Sequence, residues 1–455
     1  MTAAVSGPNP SAGVRSESPA GEARWKTALV VALLAVVAIR LHELVPALAN
    51  FRPALVFGVG GFAILWSSAR RSERRAVVRE PSMRWVLAYA LWAAVTVPFA
   101  LWRGLAIDSL LDFPPSIVIV AALLLLVPAE RSLRLVLTGY VLAAGVYGVA
   151  LLKMGEAIGE ERTQLGQTLD ANDLALVLAS TLPLALGLGL RVGGWRRLVF
   201  ALTAVIFLVA TTATGSRGGT LALLVGSLVF VCGQRGSRKF VFLGALVIAG
   251  IIAWSEAPPT YRERMAALVA GQKDYNYTDY VGRTQVWARA GGYIVQHPVV
   301  GVGLGNFPVA EGGHLASWGA KGKWSAAHNA YLQAFAELGI PGGLIFLGLL
   351  AHTIRRAARY WPPRSGTTGP PVLHRPELLA SIVAFAVGSF FLSTAYFYSL
   401  FALVGLIALT DRQARQTAEG VEASAPPPSP ARSRVREKGP GRRGVLLPNT
   451  RASAS

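Results

Sequence analysis

The chain has 455 residues, 53% of them hydrophobic and 15% charged, and a mean hydropathy of +0.46, a balance that excludes an ordinary soluble protein and points to a polytopic membrane protein. The formal net charge of +20 lies in short basic clusters between apolar runs, where the topology rule and anionic headgroups account for it and no nucleic-acid partner is expected. Cys232 is the single cysteine, which excludes a disulfide framework and a thiolate metal site.

Residues 1–24 are rich in Ser, Pro, Gly and Ala and predict a disordered cytoplasmic tail without a signal-peptide pattern. Apolar cores follow at 26–44, 53–68, 84–101, 114–128, 134–152, 173–190, 197–213, 218–233, 239–255, 328–351, 377–393 and 395–410. Each is roughly long enough for a spanning helix of about 20 residues once flanks are included. The expected fold is therefore an all-α polytopic membrane protein of about 12 transmembrane helices. The last two cores are short and have no Gly or Pro between them, so eleven spans are the other count.

Basic residues set the orientation. One set of alternating loops carries Arg70, Arg71, Arg74, Arg75, Arg79 and Arg84, then Arg131 and Arg134, Arg191, Arg196 and Arg197, and Arg235, Arg238 and Lys239. The same set ends with five arginines between 353 and 376, whereas the short loops of the opposite set hold only Arg52, Arg103, Lys153, Arg162 and Arg217. Excess positive charge marks the cytoplasmic side. A bundle of about nine spans over 25–254 then precedes a large external loop at 255–327, C-terminal helices at 328–411 and a basic, disordered cytoplasmic tail at 412–455.

That external loop is long but not of low complexity. Tyr261, Met265 and Leu268 make a short helical stripe. Gly282 to His297 predicts an amphipathic helix with Val286, Trp287, Ala290 and Ile294 along one side, ended by Pro298. Gly301, Gly303 and Gly305 then predict a tight turn, while the Gly-Gly-His314 segment is too irregular to read. His328 and Asn329 stand where the chain re-enters the membrane, at a helix N-terminus, followed by Tyr331, Leu332, Phe335 and Leu338 at helical spacing. Gly339, Pro341, Gly342 and Gly343 interrupt that pattern. A titratable group at a membrane-helix entrance is a functional candidate.

His328-Asn329, nine residues, Gly339, two residues and Gly342-Gly343 resemble the signature of the O-antigen ligase and polymerase superfamily. Gly282-Arg283 through Trp287, His297-Pro298 through Phe307, Thr214-Gly215-Ser216-Arg217-Gly218-Gly219 and Asp170-Ala171-Asn172-Asp173 are similar to further family motifs, in the family's order. The resemblance covers roughly 164–350 and implies a GT-C-like membrane glycosyltransferase. It implies an undecaprenyl-diphosphate-linked glycan as donor and a glycan, lipid A-core or protein hydroxyl as acceptor, at the outer face of a bacterial cytoplasmic membrane among its lipids. It also implies inverting chemistry with no cofactor and no metal, since the diphosphate is already a good leaving group. Arg217 and Arg283 would bind the diphosphate, because a guanidinium grips phosphate bidentately and stays charged. His328 would take the acceptor's proton. Asn329, Asn172, Asp173 and Arg40 are supporting candidates.

Each residue also has a plainer role. His328 could cap or anchor a helix end, Arg217 could be a snorkelling anchor, and Arg283 an ordinary surface charge. Asn172 and Asp173 are good N-caps. Arg40, His42 and Glu43 could form an internal ion pair, and Trp318 and Trp324 suit interfacial anchors. The alternative function is a transporter or flippase of a lipid-linked anionic glycan, which would predict two related halves. No such repeat is found, and a purely structural scaffold would not need His and Arg at span entrances.

Overall fold

The computed structural model describes residues 19–39, 53–126, 129–158, 162–164, 170–255, 262, 282–317, 324–359 and 375–424. Expectations for Arg40, His42, Glu43, Trp318 and the stripe of Tyr261, Met265 and Leu268 lie outside the described residues.

The first elements are α1 (Pro19–Ile39), α2 (Pro53–Ser68), α3 (Arg71–Arg79) and α4 (Pro81–Thr96). They are followed by α5 (Arg103–Leu111), α6 (Pro114–Leu125) and α7 (Glu130–Met154). Next come α8 (Ala171–Arg191), α9 (Trp195–Ala213), α10 (Arg217–Cys232) and α11 (Arg238–Ser255). The last are α12 (Arg283–Gln296), α13 (Phe307–Ser317), α14 (Ala330–Ala358), α15 (Arg375–Ser389) and α16 (Tyr398–Ser424). One departure from an all-α chain is an antiparallel ribbon of β1 (Glu156–Ile158) and β2 (Arg162–Gln164), pairing Ala157 with Thr163 between α7 and α8.

Among the described residues, five helical stretches are long and apolar enough to cross a membrane: Arg103–Leu125, α7, α8, α9 and α14. Gly58–Ser68, α10 and Pro376–Ser389 are shorter apolar helices. The chain is thus a polytopic helical membrane protein. The expected core at 84–101 splits: α4 stops at Thr96, a short 3-10 turn spans Val97–Phe99, and the Leu101 N–H turns aside to donate to the Val302 carbonyl at 3.0 Å. Pro98 cannot continue the helical ladder. At the other end of the chain α16 runs on to Ser424, beyond the expected boundary at 411.

The centre of the bundle is α8, with sixteen of its 21 residues buried, as a helix that is apolar all round must be. It packs on α7, α9, α10 and α15. The α10–α15 pair is close because small residues face one another: a Cβ on Gly226 would lie 2.7 Å from the Ala384 Cβ, and one on Gly388 would lie 3.1 Å from the Ala222 Cβ. Small residues at such contacts let backbones approach where lipid leaves packing as the main attraction. On the outside, α11 presents Phe240 and Val241, 73% and 68% exposed, a surface suited to lipid rather than water.

The end of α14 opposite Asn329 is clamped by buried charge. Arg356 donates from Nε to Asp411 of α16 at 2.8 Å and pairs also with Glu80, which immediately precedes α4. Its Nη1 reaches the Ser82 hydroxyl at 2.9 Å. One guanidinium thereby ties together three helices.

Candidate functional site

The sequence-predicted residues lie at four helix starts. Asn329 is the N-cap of α14, and its Oδ1 accepts from the N–H groups of Tyr331 and Leu332, both at 3.0 Å. His328 just before it has φ +47°, the one described non-glycine residue with positive φ. That conformation is uncommon for a residue with a side chain and persists where the surroundings hold it. The holding groups are identifiable. The His328 N–H donates to the Ser393 hydroxyl at 2.8 Å, and the Ala327 carbonyl accepts from the Trp287 indole at 3.0 Å. One turn on, the Tyr331 hydroxyl donates to the Ala386 carbonyl at 2.8 Å. The loop between α15 and α16, α12 and α15 thus all grip the chain around His328, whose side chain is half-buried.

Arg217 is the first residue of α10. Ser216 caps the helix by accepting from the Gly219 N–H at 3.1 Å, and Gly215 before it has φ +62°. The two following glycines are needed for space, since a Cβ at Gly218 would lie 2.8 Å from the Phe391 Cβ and one at Gly219 would lie 2.4 Å from the Ala175 Cβ. The start of α10 is therefore wedged between the start of α8 and the loop that holds His328. Arg217 is half-buried there.

Asn172 and Asp173 lie in the first turn of α8, but neither is its N-cap. That position is Asp170, which has no side-chain cap bond, and the Asn172 amide donates to the Asp170 carboxylate at 2.7 Å. Arg283 opens α12 directly after buried Gly282. One turn further, the Trp287 ring meets Phe390 edge-on at 5.4 Å between centroids, and Phe390 also faces Tyr331 at 6.2 Å. Phe390 is 45% exposed and adjoins Phe391, the residue against Gly218. An aromatic bridge thus runs from the Arg217 helix start to the His328 helix start.

The expected helix over 282–297 is observed, with Val286, Ala290 and Tyr293 buried and His297 at its C-cap. The Gly-Gly-His314 segment, unreadable in the sequence, is helical within α13. A buried ion pair joins α12 and α13: the Arg289 guanidinium grips Glu311 with Nη2 at 2.7 Å and Nε at 3.0 Å, and the Tyr293 hydroxyl donates to the same carboxylate at 2.9 Å.

The glycine turn closes a break in α14. Gly339 has φ +69° and ψ −177°, a backbone region essentially reserved for glycine, which opens the helix in mid-course. Such a break in an apolar helix is tolerated only if its freed groups find partners. They do. The Val302 N–H donates to the Ala336 carbonyl at 2.8 Å, Gly303 to Glu337 at 2.9 Å, and the Trp92 indole to Leu338 at 2.8 Å. The Ile340 N–H, opposite them, donates to the Pro298 carbonyl at 2.8 Å. The Glu337 side chain completes the seal, accepting from the N–H groups of Gly305 at 3.1 Å and Phe307 at 3.2 Å. Asn306, fully buried, accepts from the Trp102 N–H at 2.7 Å.

Sequence reasoning missed Glu337, Ser393, Phe390 and the Arg289–Glu311 pair. An acid inside an apolar span was a readable signal for Glu337. A serine such as Ser393 carries none, because its role depends on a contact 65 residues away.

Residues 202–347 match a family model described as O-antigen ligase. The matched segment contains Arg217, Arg283, His328 and Asn329, runs from α9 into the second half of α14, and bears out the resemblance read from the sequence. It supports a glycan-transferring function of the O-antigen ligase and polymerase type in general. No curated protein matches the chain.

Proposed function

We propose that the chain transfers a glycan from an undecaprenyl-diphosphate carrier to an acceptor hydroxyl, with inversion, at the outer face of the bacterial cytoplasmic membrane. The observation that carries this reading is the convergence of the starts of α8, α10, α12 and α14 at one end of the bundle, with Arg217, Arg283 and His328 among them. Helix N-termini present partial positive charge, which favours phosphate. The diphosphate lies against Arg217 and Arg283, and the acceptor hydroxyl lies at His328. His328 removes the hydroxyl proton as the acceptor oxygen bonds to the anomeric carbon. The bond from that carbon to the phosphate oxygen breaks on the opposite side, and its electron pair leaves with the diphosphate. The guanidinium groups stabilise the charge that develops there. The transporter alternative gains nothing from the break at Gly339, whose freed backbone groups are taken by this chain's own turn and by Trp92 rather than offered to a solute.

About 12 spans, with 255–327 external, are part of this proposal and place the four helix starts on the outer side. The reaction is tested by reconstituting the purified chain with an undecaprenyl-diphosphate oligosaccharide and separate glycan, lipid A-core and peptide acceptors. Release of free undecaprenyl diphosphate together with a glycosylated acceptor supports the reading. Movement of intact donor across the bilayer without either product supports the transporter.

A further inference from the structure

The opposite end of the bundle carries a second arrangement, unconnected with glycan transfer. From Asn329 to Arg356 the axis of α14 runs roughly 40 Å at 1.5 Å per residue, which separates this region from His328. Here α3 and α4 meet at an elbow formed by Glu80 and Pro81, and beside it lies a shallow, open depression of about 630 Å³ lined by Val78, Arg79, Arg84 and Leu87. Both arginines are exposed, and among the described residues neither is in an ion pair. The acids nearby in sequence are engaged elsewhere: Glu80 pairs with Arg356, and Glu73 accepts from the Arg70 N–H at 2.9 Å. Arg74 is also occupied, donating to the carbonyls of Ala69 and Ser67 at 3.0 Å each. Two cations therefore face a concave space that no carboxylate among the described residues neutralises.

The surface above the depression is apolar and aligned with it. Arg84, Ala88, Leu91 and Val95 follow one another at helical spacing along α4, so they share one face. All four are exposed, Leu91 at 68% and Val95 at 42%. The opposite face, with Met83, Val86 and Tyr89, is buried in the bundle. This surface is cationic and concave at one end and apolar for three turns beyond, the complement of a phospholipid with an anionic head. We infer that the elbow between α3 and α4 is a binding site for an anionic phospholipid of the bilayer, its phosphodiester between Arg79 and Arg84 and an acyl chain along Ala88, Leu91 and Val95. Basic pockets between membrane helices bind anionic headgroups, and two guanidinium groups suit phosphate oxygens better than point charges do.

Native mass spectrometry of the full chain, released from micelles containing equal phosphatidylglycerol and phosphatidylcholine, tests this. The wild type should retain phosphatidylglycerol preferentially, and Arg79→Gln with Arg84→Gln should lower that preference about thirtyfold, from about 1 kcal/mol per arginine near a membrane surface. Arg71→Gln with Arg75→Gln removes the same charge from the outer side of α3 and should leave the preference intact. Should the double Gln variant at the elbow not fold, Arg79→Lys with Arg84→Lys takes its place and should weaken retention several-fold. Equal retention of both lipids by the wild type, an equal loss in the Arg71 and Arg75 variant, or displacement of the lipid by millimolar inorganic phosphate would each overturn the site.

Discussion

Gly339→Ala is the sharpest structural test of how the candidate site is built. An added Cβ would lie 2.3 Å from the Val299 carbonyl oxygen and 2.9 Å from that of Pro298, at a φ of +69°. Holding alanine in that conformation costs about 1–3 kcal/mol. Relieving the clash means moving the turn away from α14, which endangers the bonds from Ile340, Val302 and Gly303, all between 2.8 and 2.9 Å. Each buried amide left unpaired costs about 1–3 kcal/mol more. The local opening free energy should therefore fall by roughly 3 kcal/mol or more, about two decades in rate at about 1.4 kcal/mol per decade. Hydrogen exchange in detergent reads this directly: peptides containing Val302, Gly303 and Ile340 should exchange about a hundredfold faster in the variant. Gly313→Ala is the control, since its Cβ would meet nothing within 4 Å. Unchanged exchange at the three amides in Gly339→Ala would refute the idea that the turn seals the helix break.

Three further outcomes follow from the same geometry. Glu337→Ala leaves the N–H groups of Gly305 and Phe307 unpaired and should cost about 2–5 kcal/mol, while Glu337→Gln keeps one acceptor and should cost about half that; thermal unfolding in detergent should rank wild type above Gln above Ala, and equal midpoints would contradict it. Arg217→Lys and Arg283→Lys retain charge but lose the bidentate fork, so transfer should drop about tenfold in each, and full activity in both would reduce the arginines to general electrostatics. A reporter fused at about residue 290 should read external, because excess arginine and lysine marks the opposite face; a cytoplasmic signal would reverse the proposed sidedness.

What the sequence made legible were features written in local order. The helix of Arg283–Gln296, its stop at Pro298 and the turn at Gly301, Gly303 and Gly305 follow from periodicity and from where glycine and proline fall. The break at Gly339 was visible as an interrupted pattern, but its partners were not. Val302, Trp92 and Pro298 reach it from 34 to 246 residues away, and no spacing rule links them to it. Asn172 illustrates the opposite failure: a good capping residue type stands two positions late, and the N-cap position falls to Asp170 instead. Phe390 looked like any apolar residue in a span, because its exposure depends on α15 ending at Ser389 just before it.

The most direct measurement of the central claim is glycan transfer by His328→Ala. One contact that fixes this position runs from the backbone N–H to Ser393 at 2.8 Å, and the Asn329 cap lies in the next residue, so alanine keeps both. The variant should insert and fold at wild-type levels. Transfer should fall by about two orders of magnitude or more, the usual scale of a lost general base, while undecaprenyl-diphosphate-linked glycan accumulates at the outer face. Transfer at the wild-type rate by a normally folded His328→Ala protein would contradict the assignment of His328 as the base.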